Sequence, residues 1–401
     1  MPCVPPGGGS APCCAAAIST EADLEAAVAE VSEEIESRLD GARPDLLFTF
    51  ATHHFGGDLP RLSGELVAAT NTEHLVGCTG AWAAGEGREV EHSPALAVMA
   101  AKLDDTRIRI DHIAPPSEGG PETLDFEIEN PDTSGVLVFG DPFTFPATAW
   151  LGAFHDVNPD VPLVGGLAGG GIAPGQNILF AGSDAVNSGA VVCTIEGATR
   201  LVPAVSQGCR PVGPPLVATK VEGNVVLEFR GQPAAKVMFE VLESLDESER
   251  RLFQAGAFIG RAVDAAKSKF HSGDFLVRNV MGLDPKRHAV AIADDGLRTG
   301  TTLQLMVRDA ASASNELNSM LEIAGLASAG EALGGLLVTC GGRGQGMFGR
   351  PHHDAAAIER SFGPGFPLAG FAAAGEIGPI GGRSFLHGFS ASVALLAPRD
   401  S

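Results

Sequence analysis

The sequence predicts an α/β protein of two domains, in which mixed β-sheets are flanked by helices and built from repeated strand-helix-strand units. Three observations support this fold class. The 401 residues, 44% of them hydrophobic, suffice for two or three cores at about 150 residues per domain. Short apolar runs typical of buried strands alternate with helical patterns. A strand-helix-strand pattern that ends in a small-residue, glycine-rich motif occurs three times.

The three copies share their spacing. An apolar run opens each copy: LLFTF at 46, VLVF at 136 and LLVTC at 336. The glycine of the following motif comes at a similar distance: Gly77 is 27 residues after Phe50, Gly165 is 26 after Phe139, and Gly370 is 30 after Cys340. A further β-rich run follows each motif: ALAVMAA at 95, GAVVCTI at 189 and FSASVALL at 389. We predict true repeats; a coincidence of abundant Gly and Ala is the alternative.

The predicted domain order follows composition. Residues 1–18 are rich in Pro, Gly and Cys, and we expect a disordered tail there. Residues 19–232 form the first domain, with an amphipathic helix from Thr20 to Gly41 and two repeats. Residues 233–401 form the second domain, with helices at 235–245 and 248–268, the latter with Ala266 on its apolar face, and the third repeat.

Charge and cysteine content exclude several classes of protein. A net charge of −22 disfavours partners that need a cationic surface, so we expect no nucleic-acid and no membrane partner. No apolar run reaches the ~18 residues of a membrane span, and the N-terminus lacks a basic region and an uninterrupted apolar segment, so a cytoplasmic location is expected. The seven cysteines show no metal or disulfide spacing. We predict buried thiols, no metal and no cofactor.

The third repeat carries the candidate site. A glycine-dense loop, GGRGQGMFGRPHHD, follows the strand at 336–340, and Asp354 is placed to cap the next helix. Sparse polar residues then lie among small ones, which is how a chain brings backbone and a few charges close to a small molecule. These candidate ligand-binding residues are Arg343, Gly344, Gly346, Asp354, Glu376, Arg383 and His387.

Several segments in consistent order resemble the FIST family, N-terminal and C-terminal domains both, over roughly residues 45–396. They include VGCTGAWAAGEGREVEHSPALAV, VPLVGGLAGGG, DFLVRNVMGLDP, LRTGTTLQLMVRDA and PLAGFAAAGEIGPIGGRSFLHGFSASVALL. The resemblance implies an intracellular sensory domain that binds small ligands such as amino acids, in signal transduction. It leaves a protein signalling partner open and identifies no binding residue.

An amino-acid ligand would need a cation for its carboxylate and an acid for its ammonium. We assign the carboxylate to Arg343 or Arg383 and the ammonium to Glu376. Backbone amides of the glycine loop, or of the helix start near Asp354, would take any remaining negative charge. The alternative for Glu376 and Arg383 is a structural ion pair across a glycine turn.

An uncharacterised enzyme is the alternative to a sensor. Gly344, Gly346 and Gly349 form a GxGxxG pattern between a strand and a helix, but four residues separate it from the helix, and no acid follows at the dinucleotide-site spacing. A metal site would recruit His352, His353, Asp354, Glu376 and His387, whose spacing fits no compact ligand set. No GxSxG motif supports a serine hydrolase.

Overall fold

The computed structural model describes residues 12–116, 126–128, 130–265, 267, 269–294 and 296–399. These residues divide into two compact units. Unit 1 comprises the chain up to Val205, Leu317–Leu386 and the residues from Ser390 onward, and unit 2 comprises Ser206–Glu316 and His387–Phe389. The predicted α/β class with mixed sheets is confirmed. The domains 19–232 and 233–401 remain a prediction from the sequence. In the structure, the strands of the third repeat belong to the same compact unit as those of the first two.

The helices and strands of the first two repeats are, in chain order, β1 (Cys13–Ser19), α1 (Leu24–Arg38), β2 (Leu46–Thr52), a 3-10 helix (His53–Asp58), α2 (Leu59–Thr70), β3 (Leu75–Gly80), β4 (Ala83–Gly85), β5 (Arg88–Val90), β6 (Leu96–Lys102), β7 (Thr106–Ile113), β8 (Thr133–Gly140), α3 (Ala147–Val157), β9 (Leu163–Leu167), β10 (Leu179–Ala181), β11 (Asp184–Val186), β12 (Ala190–Gly197) and β13 (Thr199–Ser206).

Unit 2 then contributes β14 (Cys209–Glu222), β15 (Val225–Phe229), β16 (Gln232–Pro233), α4 (Ala234–Ser244), α5 (Glu247–Ala255), β17 (Phe258–Ala262), a 3-10 helix (Ser272–Asp274), β18 (Phe275–Asp284), β19 (Ala289–Ile292) and β20 (Thr302–Arg308). Its strands form one sheet in the order β14-β20-β17-β18-β19-β15-β16. Val237, Met238 and Val241 of α4 pack with Ile259 and Leu305 of the sheet in one apolar cluster.

The chain continues with α6 (Ala310–Ala327), β21 (Gly334–Cys340), α7 (Gln345–Phe348), α8 (His353–Phe362), β22 (Leu368–Ala373), β23 (Gly375–Ile380), β24 (Arg383–His387) and β25 (Ala391–Pro398). The strands β21, β22 and β25 belong to the third repeat.

The predicted repeats are confirmed by the strand pairing. Each repeat contains two parallel strands and an antiparallel third strand beside the first of them. The pairs are β2 with β3 and β6, β8 with β9 and β12, and β21 with β22 and β25. The strand-helix-strand order of each copy therefore gives the same three-stranded arrangement.

The glycine of each motif has one steric reason. A Cβ at Gly77 would lie 1.8 Å from the Thr49 carbonyl oxygen, and a Cβ at Gly165 would lie 1.8 Å from that of Val138. In the third repeat, a Cβ at Gly370 would lie 2.2 Å from the Leu337 carbonyl oxygen. Only glycine allows the second strand to approach the first this closely.

A short hairpin after each repeat's second strand joins the sheet of another repeat. Hairpin β4–β5 of the first repeat pairs with β22 of the third, and β10–β11 of the second pairs with β3 of the first. Hairpin β23–β24 of the third repeat pairs with β9 of the second. The three repeats are therefore connected in a closed cycle.

Three equivalent backbone hydrogen bonds close this cycle at the carboxyl ends of the second strands. The amide of Ala81 donates to the Ala372 carbonyl, that of Ala374 to Leu167, and that of Gly169 to Thr79, each at 3.0 Å. The apolar core between the sheets contains Phe50, Phe139 and Phe371, one from each repeat. Their ring centroids lie 4.8–5.9 Å apart.

Two predictions about local structure are wrong. Residues 13–18 are not a disordered tail but belong to β1, which pairs with β6 along its whole length and is mostly buried. Pro12 is a half-buried bend before this strand, and residues 1–11 of the predicted tail lie outside the described residues. Small apolar side chains let this edge strand cover the core. The predicted helix at 248–268 ends at Ala255, because the chain after Gly256 turns into β17 between β18 and β20. Its predicted Ala266 lies outside the described residues.

Among the described residues, no helix combines the length and the apolar character that crossing a membrane requires.

Replacement of Gly77 by Ala should lower the free energy of unfolding by about 3 kcal/mol or more, because the new Cβ would overlap backbone that cannot rotate away. Urea unfolding followed by circular dichroism measures this. Gly64→Ala is the matched control in helix α2, where the nearest atom to a Cβ is 3.7 Å away. There the helix propensity of Ala should stabilise the protein by about 0.5–1 kcal/mol. Equal unfolding midpoints for Gly77→Ala and the unchanged protein would contradict the close approach.

Candidate functional site

The carboxyl ends of the parallel strand pairs are where open α/β sheets bind ligands. In the first two repeats, the polar side chains at these strand ends form hydrogen bonds with other groups of the protein. The Nε2 atom of His53 lies 3.0 Å from the Gly169 carbonyl oxygen. The carboxylate of Asp141 accepts from Thr144 Oγ1 at 2.7 Å and from Asn177 Nδ2 at 3.1 Å. The third repeat instead holds a cluster of buried charged groups.

Arg343 and Asp354 form a buried ion pair at the end of β21. The Nε and Nη2 atoms of Arg343 donate to the two carboxylate oxygens of Asp354, at 2.8 and 2.9 Å. Thr339 Oγ1 donates to the same carboxylate at 2.8 Å, and His353 Nδ1 lies 2.8 Å from it. Burial alone would raise the pKa of Asp354, but the Arg343 charge and the bond to His353 hold that pKa well below its usual range. The structure thus brings these two predicted site residues together.

The predicted capping role of Asp354 is wrong. Asp354 lies inside the first turn of α8, and its side chain points to Arg343 rather than back to the helix amides. The helix start is capped by Glu89 of strand β5, whose Oε1 accepts from the amides of Asp354 at 2.8 Å and Ala355 at 2.9 Å. The amides that could have received an anionic ligand are therefore occupied by a side chain of the first repeat.

Glu376 is a fully buried acid on β23. Its Oε2 accepts from the Ser390 amide at 3.0 Å and from Ser390 Oγ at 2.8 Å. Its Oε1 has no hydrogen-bond partner in the part of the chain that the structure describes. Burial raises the pKa of Glu376 to about 8, despite the opposing effects of the Ser390 bonds and the Arg343 charge. The carboxyl group is therefore mostly protonated at neutral pH.

The repeats show that the fold does not need an acid at this position. Glu376 pairs with Gly166, the residue after the motif glycine of the second repeat. At the same register in the other two sheets, Ala83 pairs with Phe371 and Leu179 pairs with Cys78. Ala83 and Leu179 are part of the apolar core. Glu376 thus replaces an apolar core residue by a carboxyl group, at a cost in desolvation.

Arg383 does not join this cluster. It is half exposed at the start of β24, and its Nη2 lies 3.2 Å from the Gly152 carbonyl oxygen and 3.3 Å from Asp156 Oδ1. The predicted alternative of an Arg383–Glu376 ion pair is wrong, since Arg383 pairs with Asp156 and Glu376 bonds to Ser390. His387 is buried and belongs to unit 2.

Gly344 and Gly346 flank the start of the short helix α7. A Cβ at Gly344 would lie 2.5 Å from a carboxylate oxygen of Glu91, whose Oε1 accepts from the Gln345 amide at 2.8 Å. Gly346 has open space around it. A dinucleotide phosphate bound at this GxGxxG would meet the negative charge of Glu91, so the local electrostatics disfavour that use of the motif.

Glu89 and Glu91 are the site residues that sequence reasoning missed. Glu89 lies on β5 of the hairpin β4–β5, and Glu91 directly follows that strand. The turn of the hairpin has left-handed Glu86 and Gly87, with φ of 51° and 68°. Such a turn is a recognisable hairpin signal, but it does not say which sheet the hairpin joins. Among the described residues, no group of three or more His, Cys, Asp or Glu side chains is arranged to hold a metal ion.

Comparison with known proteins places these features in a family context. The chain matches the FIST N domain over residues 45–232 and the FIST C domain over residues 234–379. It is 35% identical over 379 residues to an uncharacterised protein of Mycobacterium bovis, covering 94% of this chain and 97% of that protein. Two uncharacterised proteins of Mycobacterium tuberculosis match at the same identity over 379 residues, covering 94% of this chain and 97% and 98% of their own lengths.

The buried acids predict how stability depends on pH. Glu376 has a folded-state pKa of about 8 and Glu89 of about 7, both above the ordinary 4.5. Above pH 4.5 the folded protein therefore binds more protons than the unfolded chain. The stabilisation from this proton binding is present below pH 4.5 and is lost as the pH rises to 7 and 8. Titration of Glu376 alone should lower the free energy of unfolding by about 4 kcal/mol between pH 5 and pH 9. Asp354 acts in the opposite direction, but only in more acidic solution.

Glu376→Gln resembles the protonated acid and should match the unchanged protein near pH 5 but unfold at a higher denaturant concentration at pH 9. Urea midpoints at several pH values measure this difference. Glu359→Gln is a control on helix α8, because the Glu359 side chain is only partly buried and accepts from the Gly365 amide. A Glu376→Gln profile parallel to that of the unchanged protein would show that Glu376 does not hold the extra proton.

Proposed function

Because this chain belongs to the FIST family, whose domains generally sense small ligands in signalling, we propose that it is a sensory module for an amino acid or a similar zwitterion. The observation that carries this proposal is Glu376, a buried acid where two of the three equivalent positions hold apolar core residues. Such a costly replacement is expected where a side chain serves binding rather than folding.

The ligand's ammonium is assigned to Glu376. The Oε1 atom has no hydrogen bond to any residue that the structure describes, so it can accept one from a ligand without breaking such a contact. An ammonium group beside it would favour the ionised carboxylate, because opposite charges at close range stabilise each other. Ligand binding below pH 8 is therefore expected to release a proton from Glu376.

The ligand's carboxylate is assigned to the turn after β21. The amides of Gly341 and Arg343 already donate to backbone carbonyls, and Gly344 adjoins the carboxylate of Glu91. The amide assigned to the ligand is therefore that of Gly342, in a glycine-dense segment that a ligand can approach closely. Arg343 adds a positive charge that already acts on Glu376, although its Nε and Nη2 atoms are held by Asp354. Arg383 has no part in the proposal, since it lies half exposed against helix α3.

The setting of the proposed sensor is the cytoplasm, with a protein partner of unidentified kind receiving the signal. The buried thiols of Cys78 and Cys193, which form no disulfide, support a reducing compartment. Glu376 has no exposed surface, so a ligand reaches it only when the surrounding turns open. Association is therefore expected to be slower than for a preformed open cleft.

The test begins with a thermal-shift screen of the common amino acids at pH 8.5, where half or more of Glu376 is ionised even without ligand. Isothermal titration calorimetry of the best ligand should then show an affinity that rises roughly tenfold from pH 6 to pH 7. Glu376→Gln should lose about 1.5–3 kcal/mol of binding free energy at pH 8 and should no longer show this pH dependence.

Arg383→Gln is the matched control, because it removes a charge near the same hairpin and should leave affinity unchanged. Unaltered binding by Glu376→Gln would remove Glu376 from the site. If a ligand lacking an amino group bound as tightly as its amino counterpart, the assignment of the ammonium would fail, even with the sensor role intact.

A further inference from the structure

Glu89 links the hairpin of the first repeat to the start of helix α8 of the third repeat by hydrogen bonds, beside the apolar cluster that Ala84 of the hairpin shares with Ala355 of the helix. Its Oε1 accepts from the amides of Asp354 and Ala355 at 2.8 and 2.9 Å. The Nδ1 atom of His352, just before the helix, lies 2.9 Å from the Glu89 amide nitrogen and 3.1 Å from its carbonyl oxygen. Both the side chain and the backbone of Glu89 therefore contact the helix start.

This contact is costly when Glu89 is ionised. The side chain is 4% exposed, and its Oε2 has no hydrogen bond to the described residues. The carboxylates of Asp354 and Glu91 repel the negative charge of an ionised Glu89. Burial first, and then the Asp354 charge, raise the pKa of Glu89 to about 7 although the two helix amides oppose the shift.

The charged and titratable groups around Glu89 come from three elements. They are Asp354, His353 and Glu359 of α8, Arg343 and His352 of the preceding turn, and Glu86, Arg88 and Glu91 of the hairpin's own segment. Arg343 is turned toward Asp354, with which it makes two bonds, and Glu86 is paired with Arg38 and Arg88. A cation that could neutralise an ionised Glu89 directly is not among its hydrogen-bond partners in the described residues.

We propose that Glu89 is a proton-sensitive latch, which holds the first-repeat hairpin against helix α8 when neutral and favours local opening when ionised. In the open state Glu89 reaches water, and its proton affinity returns to that of an ordinary glutamate. Opening is then coupled to loss of one proton from the carboxyl group to solvent. The inference concerns the contact between two repeats and does not depend on the ligand proposed above.

The size of the effect follows from the two proton affinities. With a pKa of about 7 when closed and 4.5 when open, the opening equilibrium constant should rise roughly fiftyfold to a hundredfold from pH 5 to pH 8. A neutral side chain at position 89 has no such dependence. Local openings of this kind are measured by amide hydrogen exchange.

The experiment measures hydrogen exchange by mass spectrometry on the full chain between pH 5 and pH 8, after correction for intrinsic exchange rates. Glu376→Gln serves as the background, so that the titration of Glu376 does not contribute. Peptides that cover the start of α8 should lose protection by roughly fiftyfold or more with rising pH. Glu89→Gln in that background should keep the protection seen at pH 5 across the whole range.

Glu91→Gln is the matched control, since Glu91 also accepts a backbone amide of the same loop, that of Gln345. It should retain most of the pH dependence. A Glu89→Gln profile as steep as its parent, or a parent profile that is flat, would overturn the latch.

If Glu89→Gln does not fold, the Glu376→Gln protein that serves as the background is sufficient to test the latch. A loss of protection confined to the start of α8 supports the latch. An equal loss in peptides of helix α1 would indicate global destabilisation and would overturn it.

Discussion

The closed cycle of the three repeats is the constraint on which the rest of unit 1 depends. Each repeat gives a hairpin to one neighbour and receives one from the other, and three backbone hydrogen bonds of 3.0 Å fix the crossing points. The glycines at 77, 165 and 370 act within each repeat, where they allow the second strand to approach the first within a distance that no side chain permits. The position of Glu376 in the core follows from the register of β23 against β9.

The third repeat differs from the other two, which it otherwise resembles closely, in the charged groups that it buries. Its first strand ends in the Arg343–Asp354 pair, and its hairpin places Glu376 in the core. A second acid, Glu89, reaches the same region from the first repeat and adjoins Asp354. The three acids share one low-dielectric environment, yet burial raises the pKa of two of them while Arg343 lowers the pKa of the third. This unequal distribution of protons distinguishes the third repeat chemically from its two relatives in the chain.

The sequence was sufficient to predict the repeats, the strands at 46, 136 and 336 and the α/β class, because apolar runs and a sterically required glycine are local signals. It could not predict the hairpin exchange, since a three-residue strand such as Ala83–Gly85 carries no information about its partner. The site was predicted in part for the same reason. Arg343 and Asp354 meet because they are close in the chain. Glu89 instead comes from another repeat, and Arg383 contacts helix α3.

The exchanged hairpins also determine the order in which the protein can mature on the ribosome. The hairpin that starts at Ala83 is made about 290 residues before its partner Phe371. At roughly 5–20 residues per second, that interval lasts roughly 15 to 60 s. During this time strand β4 of the hairpin lacks its native partner β22 and presents unpaired backbone to other nascent chains. The cycle closes only when the last repeat emerges, so its C-terminal strands complete a core whose first strands have waited through most of translation.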